Sequence, residues 1–141
     1  MPPVVTFDTN VLVAGLRSTA GASHALLRAV GGACFQPGLT APLVLEYESV
    51  LKRPGLVAAS PTDVDTLLDF WCRVGRCRPV WFRLRPAAAD PDDDLVLEAA
   101  AATGSDHVVT LNPRDMAHAA RRYGIDLLSP GEALARFGVP T

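Results

Sequence analysis

Val4-Val5-Thr6-Phe7-Asp8-Thr9-Asn10-Val11-Leu12 is the stretch that decides the fold. Its apolar, β-branched start reads as a buried strand, and the strand stops on an acid. An aspartate at the carboxyl end of a buried strand stands at the mouth of an α/β sheet, where such folds bind ligands. Thr9 or Asn10 then caps a helix that begins near Val11. His107-Val108-Val109-Thr110-Leu111 repeats the pattern late in the chain: an apolar strand, then Asn112 and Asp115 in the run that leads into a helix ending near Tyr123.

Working outward, strands and helices alternate. Val11 to Arg17 is predicted as a short helix and Ser23, as a cap, opens a second through Val30. Ala33 to Gln36 is the second strand, stopped by Pro37-Gly38. Thr40 caps a helix with Pro42 in its first turn, and Leu43, Tyr47, Val50 and Leu51 form its inward stripe. Pro61 to Val74 carries Val64, Leu67, Leu68, Trp71 and Cys72 at helical spacing. Arg76 to Phe82 is at best an edge strand. Leu95 to Thr103 is a helix apolar nearly all round except for Glu98, so it is expected to be deeply packed. Ile125 to Leu128 is a last short strand, and Pro130 to Phe137 a closing helix. One domain over residues 1–141, with a central parallel sheet and helices on both faces, follows from this alternation.

The 141 residues are enough to bury roughly two-thirds of the unfolded surface. An apolar share of 49% excludes general disorder, and a formal charge of -2 offers no basic field to attract nucleic acid. Lys52 is the only lysine beside twelve arginines, a bias that suits phosphate contacts but that a GC-rich genome explains as well. Cys34, Cys72 and Cys77 have no zinc spacing and are expected to be buried, reduced thiols of a cytoplasmic protein. The N-terminus has no signal-peptide pattern, and no apolar run is long enough to span a bilayer.

Most of the fifteen acids fit solvated faces or turns, Asp63, Asp65, Asp69, Asp106 and Asp126 among them. Asp8 and Asp115 both have helix capping as the plain explanation. Asp90-Pro91-Asp92-Asp93-Asp94 is harder to explain. One or two acids at a helix start complement its dipole, worth about 0.3–1 kcal/mol each, but four in five residues repel one another. With an apolar helix behind them, at least one is expected in a low-dielectric cleft, where a divalent cation compensates the charge. Glu46 and Glu48 flank the apolar stripe of their helix, and periodicity does not choose between them. Glu48 has Lys52 four residues on, the favourable order for a surface pair; Glu46 has no such partner. His24, His107 and His118 lack ligand spacing, no nucleophile elbow is present, and no glycine-rich phosphate loop points to a nucleotide cofactor.

Taken in order, Val4 to Leu12, Pro42-Leu43-Val44-Leu45-Glu46, Asp90 to Ala100 and Val108 to Asp115 resemble a PIN domain, and most closely the bacterial PIN proteins described as toxin components of VapBC-type toxin–antitoxin systems. The resemblance spans residues 4 to 137. It implies a three-layer α/β/α sandwich and a Mg²⁺- or Mn²⁺-dependent endoribonuclease. By motif, the family's acids fall on Asp8, Glu46 and Asp94, three residues before Leu97. A fourth falls on Asp115, because Asn112 cannot supply a charge. The expected arrangement has Asp8, Asp94 and Glu46 around one principal ion, Asp115 at a weaker second one, and Thr9, Asn10, Thr110, Asn112 and Asp92 holding carboxylates or touching phosphate. RNA as substrate, a small antitoxin and a homodimer are the implied partners. The alternative is a PIN scaffold that has lost catalysis and binds RNA or protein. A haloacid-dehalogenase-like phosphatase needs an aspartate where this chain has Asn10.

Overall fold

The computed structural model of the chain describes residues 2–80 and 91–140, residues 91 and 92 by their backbone alone. Asp90, the side chain of Asp92, and residues 81 and 82 of the predicted third strand therefore lie outside the described residues.

The chain runs β1 (Val4–Phe7), α1 (Thr9–Arg17), α2 (Ala22–Ala29), β2 (Gln36–Leu39), α3 (Ala41–Leu51), α4 (Pro61–Val74), β3 (Arg76–Cys77), α5 (Pro91–Thr103), β4 (His107–Val109), α6 (Pro113–Arg122), β5 (Asp126–Leu128) and α7 (Pro130–Arg136). The strands form one parallel five-stranded sheet in the order β3-β2-β1-β4-β5. The expected sandwich of helices around a central parallel sheet is what the chain adopts. The chain winds outward from β1 to β3 on one side, then returns to β4 and β5 on the other. The direction of winding thus reverses between β1 and β4, which opens a crevice beyond their carboxyl ends.

Both faces of β1 are covered, because successive side chains point to opposite sides. Phe7 packs on Phe35 and on Trp71 of α4, each with ring centroids 5.5 Å apart. Thr6 faces the end of α5 and the turn after it, where its hydroxyl is 3.0 Å from Ser105 Oγ, itself 2.8 Å from Thr103 Oγ1. Thr103 in turn donates to the carbonyl of Ala99 at 2.7 Å, so this buried hydroxyl chain ends on a helix carbonyl. The stripe Leu43, Tyr47, Val50 and Leu51 of α3 is buried as predicted, with Thr40 accepting from the Leu43 N–H. The helix over Pro61 to Val74 has its predicted bounds and a Ser60–Asp63 capping box.

Several local expectations are corrected. Helix α1 starts at Thr9 with Asp8 in the N-cap position, and α2 starts at Ala22 behind Gly21, so Ser23 does not cap it. Asp65 is not merely solvated: Lys52 bridges it at 2.6 Å, as well as Glu48 at 2.9 Å. The thiols are not buried; Cys72 and Cys77 are exposed and Cys34 half-buried. Strand β2 is Gln36 to Leu39, so it contains the Pro37-Gly38 pair expected to end it. Gly38 is there because α5 comes close. A Cβ at this position would stand 2.5 Å from Thr103 Oγ1, 2.9 Å from Ser105 Oγ and 3.0 Å from Thr6 Oγ1. Gly38→Ala is therefore expected to cost about 1–3 kcal/mol, from overpacking, in spite of the gain in chain stiffness. Urea unfolding should show a lower midpoint at unchanged slope; an unchanged midpoint would mean the hydroxyl layer gives way freely.

Candidate functional site

The crevice beyond β1 and β4 is lined by carboxylates from four separate elements. Asp8 stands at the junction of β1 and α1. Its backbone is extended at the N-cap position (φ -66°, ψ 145°), yet its side chain makes no capping hydrogen bond. Thr110, directly after β4, donates its hydroxyl to Asp8 Oδ2 at 2.7 Å. The Asn112 N–H donates to that same threonine oxygen at 3.1 Å, and Asn10 Oδ1 accepts from the Leu111 N–H at 3.3 Å. The two strand ends are thus laced together around the acid. Capping, the plain explanation for Asp8, does not describe what its carboxylate does.

Glu46 arrives on α3, which is anchored to the same spot by its neighbour. The Tyr47 hydroxyl donates to the carbonyl of Phe7, the residue before Asp8. Burial holds the Tyr47 phenol well above its usual pKa, and the negative charge of Asp8 adds to the rise, against the lowering effect of the bond to Phe7. With Tyr47 turned inward and Glu48 bound to Lys52, Glu46 is the glutamate of α3 that reaches the crevice.

Asp8, Glu46, Asp93 of α5 and Asp115 of α6 line one cavity of about 900 Å³, together with Thr9, Asn10, Asn112, Arg17 and Arg53. Asp94, the acid the family motif indicates on α5, is not among its lining residues. Helix phase accounts for this: Asp93 lies four residues before Leu97 and seven before Ala100, both buried, whereas Asp94 shares its face with Glu98 and the exposed Ala101. That spacing was the signal for Asp93 in the sequence. Thr110 is fully buried at its strand end and sits behind Asp8 rather than on the cavity wall.

The chemistry of the lining suits a hard divalent cation, since carboxylate, amide and hydroxyl oxygens face the cavity and, among the described residues, no thiol or imidazole does. The carboxylates line the walls rather than meet at a point. Among the described residues no three His, Cys, Asp or Glu side chains form a group that could hold a metal ion.

A family model described as the PIN domain matches residues 4–114, from β1 through the carboxylate-bearing strand ends to the start of α6. The chain belongs to the PIN-domain family. This PIN domain is also similar in structure to a chain in the crystal structure of VapBC2 from Rickettsia felis bound to a DNA fragment from their promoter. The identity is 12% and the TM-score 0.56, over 89% of this chain and 98% of that one. A likeness at that identity is one of fold. No curated protein matches this chain in sequence. Among the described residues no helix is long and apolar enough to cross a membrane.

The lacing of Asp8 yields a further expectation. Thr110→Val removes the donor that fixes this carboxylate while keeping the β-branched shape in a buried position. Activity that depends on Asp8 should fall about 10–100-fold, the usual loss when a partner that orients a metal-binding group is removed. A variant with full activity would make that hydrogen bond incidental.

Proposed function

We propose that this PIN domain is a divalent-metal-dependent endoribonuclease, acting as the toxin component of a type II toxin–antitoxin system. The observation that carries the reading is that Asp8, Glu46, Asp93 and Asp115 line one cavity at the point where the strand order reverses. Asp8 and Glu46 would hold a Mg²⁺ or Mn²⁺ ion with an acid of α5, Asp93 by its position on the wall or Asp94 by the family motif, and Asp115 would hold a weaker second ion. Bound there, such an ion supplies a hydroxide-like water at neutral pH and neutralises charge gathering on the phosphate.

The chain's own residues do the rest. Thr110 fixes the rotamer of Asp8. Glu46, on a helix pinned to the end of β1 by Tyr47, is positioned to accept a proton from an attacking water. Arg17 and Arg53, both exposed on the rim and making no ion pair with the described residues, offer forked donors to phosphates on either side of the scissile bond. Carboxylates alone would repel RNA; arginines at the edge of the same cavity offset that repulsion. A small antitoxin that masks this mouth and a homodimer are the partners the reading implies, with the cytoplasm as its place of action.

That no three of these acids group to hold an ion among the described residues, together with Asn112 in place of an acid, favours a second reading: a PIN scaffold that binds RNA or protein without cutting it. Incubation of purified chain with single-stranded RNA, with Mg²⁺ or Mn²⁺ and then with a chelator, separates the two. Cleavage that appears with metal and stops with chelator supports the nuclease. Binding without cleavage over a range of RNA sequences supports the scaffold.

A further inference from the structure

The turn between α4 and β3 brings two thiols together on the surface, away from the carboxylate cavity. The Gly75 N–H donates to the Trp71 carbonyl at 2.8 Å and ends α4. A Cβ on Gly75 would stand 2.6 Å from the Trp71 carbonyl oxygen, 2.8 Å from that of Pro37 and 3.0 Å from Leu39 Cδ1, so the backbone turns hard against β2. That close turn sets Cys72, in the last turn of α4, against Cys77 on β3. The Cys77 thiol donates to the Cys72 carbonyl at 3.4 Å, which places its sulfur against the residue that carries the other thiol. Both residues are exposed, and both line the wall of a separate cavity of about 1020 Å³ with Leu39, Leu45 and Leu95.

We propose that Cys72 and Cys77 form a modification site, which a low-molecular-weight disulfide oxidises to an intramolecular disulfide. Burial, and next the adjoining Cys77, raise the pKa of the Cys72 thiol, so Cys77 is the first nucleophile. Its thiolate attacks one sulfur of the small disulfide, that S–S bond breaks, and one small thiolate leaves and takes up the proton Cys77 released. The Cys72 thiolate then attacks the Cys77 sulfur of the mixed disulfide and expels the second small thiol. Two protein thiols are oxidised and one small disulfide is reduced to two thiols. The new bond ties the end of α4 to β3, an edge strand that among the described residues pairs with β2 at Gly38–Arg76 and Leu39–Cys77.

The test uses the full chain, folded in buffer and unfolded in urea, each incubated with oxidised glutathione, quenched in acid and alkylated. In the folded chain, neither Cys72 nor Cys77 should take up alkyl groups, and the peptide map should show them joined, whatever happens at Cys34. The bond should form at least about tenfold faster in the folded chain than in urea, because the fold holds the thiols together. Cys72→Ser should stop at a glutathione adduct on Cys77. Free thiols at both positions, stable adducts at both, a bond to Cys34, or no rate advantage over urea would each overturn the proposal.

Discussion

Replacing Asp8 with asparagine is expected to leave the chain folded and to lower metal-dependent RNA cleavage at least about a hundredfold. The folded state tolerates the change because the Asp8 carboxylate caps nothing: helix α1 starts without a side-chain capping bond from it. An asparagine oxygen still accepts the Thr110 hydroxyl that now meets Asp8 Oδ2 at 2.7 Å. What asparagine lacks is charge: its amide oxygen can still face a hard cation, but it neutralises none of that ion's charge and so holds it far more weakly than a carboxylate. Melting temperature and cleavage rate, measured on one preparation, separate the two roles. A large fall in melting temperature would make Asp8 a structural residue, and unchanged cleavage would remove it from the site.

Trp71→Ala is expected to be the costliest core truncation, about 3–5 kcal/mol. Trp71 is fully buried on α4 and touches both residues that set the site's geometry. Its ring lies 5.5 Å from Phe7 and, edge-on, 6.2 Å from Tyr47. A loss of that size is a large part of the roughly 5–15 kcal/mol that holds a domain together. Trp71→Phe should cost much less, because the indole N–H has no hydrogen-bond partner among the described residues and its removal breaks no polar contact. Urea midpoints for the two variants give the comparison. Equal losses would mean that the full indole, and not an aromatic ring alone, is what fills this part of the core.

The parts of the fold that were legible in the sequence are those whose signal is local. Asp8 and Thr110 could be placed because apolar strands end beside them, and Glu48 could be set aside because Lys52 stands one helical turn on. The Thr40 cap fixes its helix from adjacent residues. Strand β2 was misread because Pro37 and Gly38 argue locally against a strand. Gly38 is needed there by Thr103 and Ser105, about 65 residues further along, and no local rule reports that approach. The run Asp92-Asp93-Asp94 was hard for another reason: the acids are chemically alike and the helix behind them is apolar nearly all round, so the spacing of Asp93 to Leu97 and Ala100 did not stand out. The cysteines were expected to be buried because their residue type usually is. Cys72 lies on the outer flank of α4, where the Val64, Leu68 and Trp71 stripe has already met the core.

Crystals soaked in Mn²⁺ and measured for anomalous scattering address the site most directly. A peak with carboxylate oxygens of Asp8, Glu46 and either Asp93 or Asp94 at on the order of 2 Å, or one water further away, is the predicted result. A peak that leaves Asp8 and Glu46 untouched, or a cavity without manganese at millimolar concentration, would contradict it.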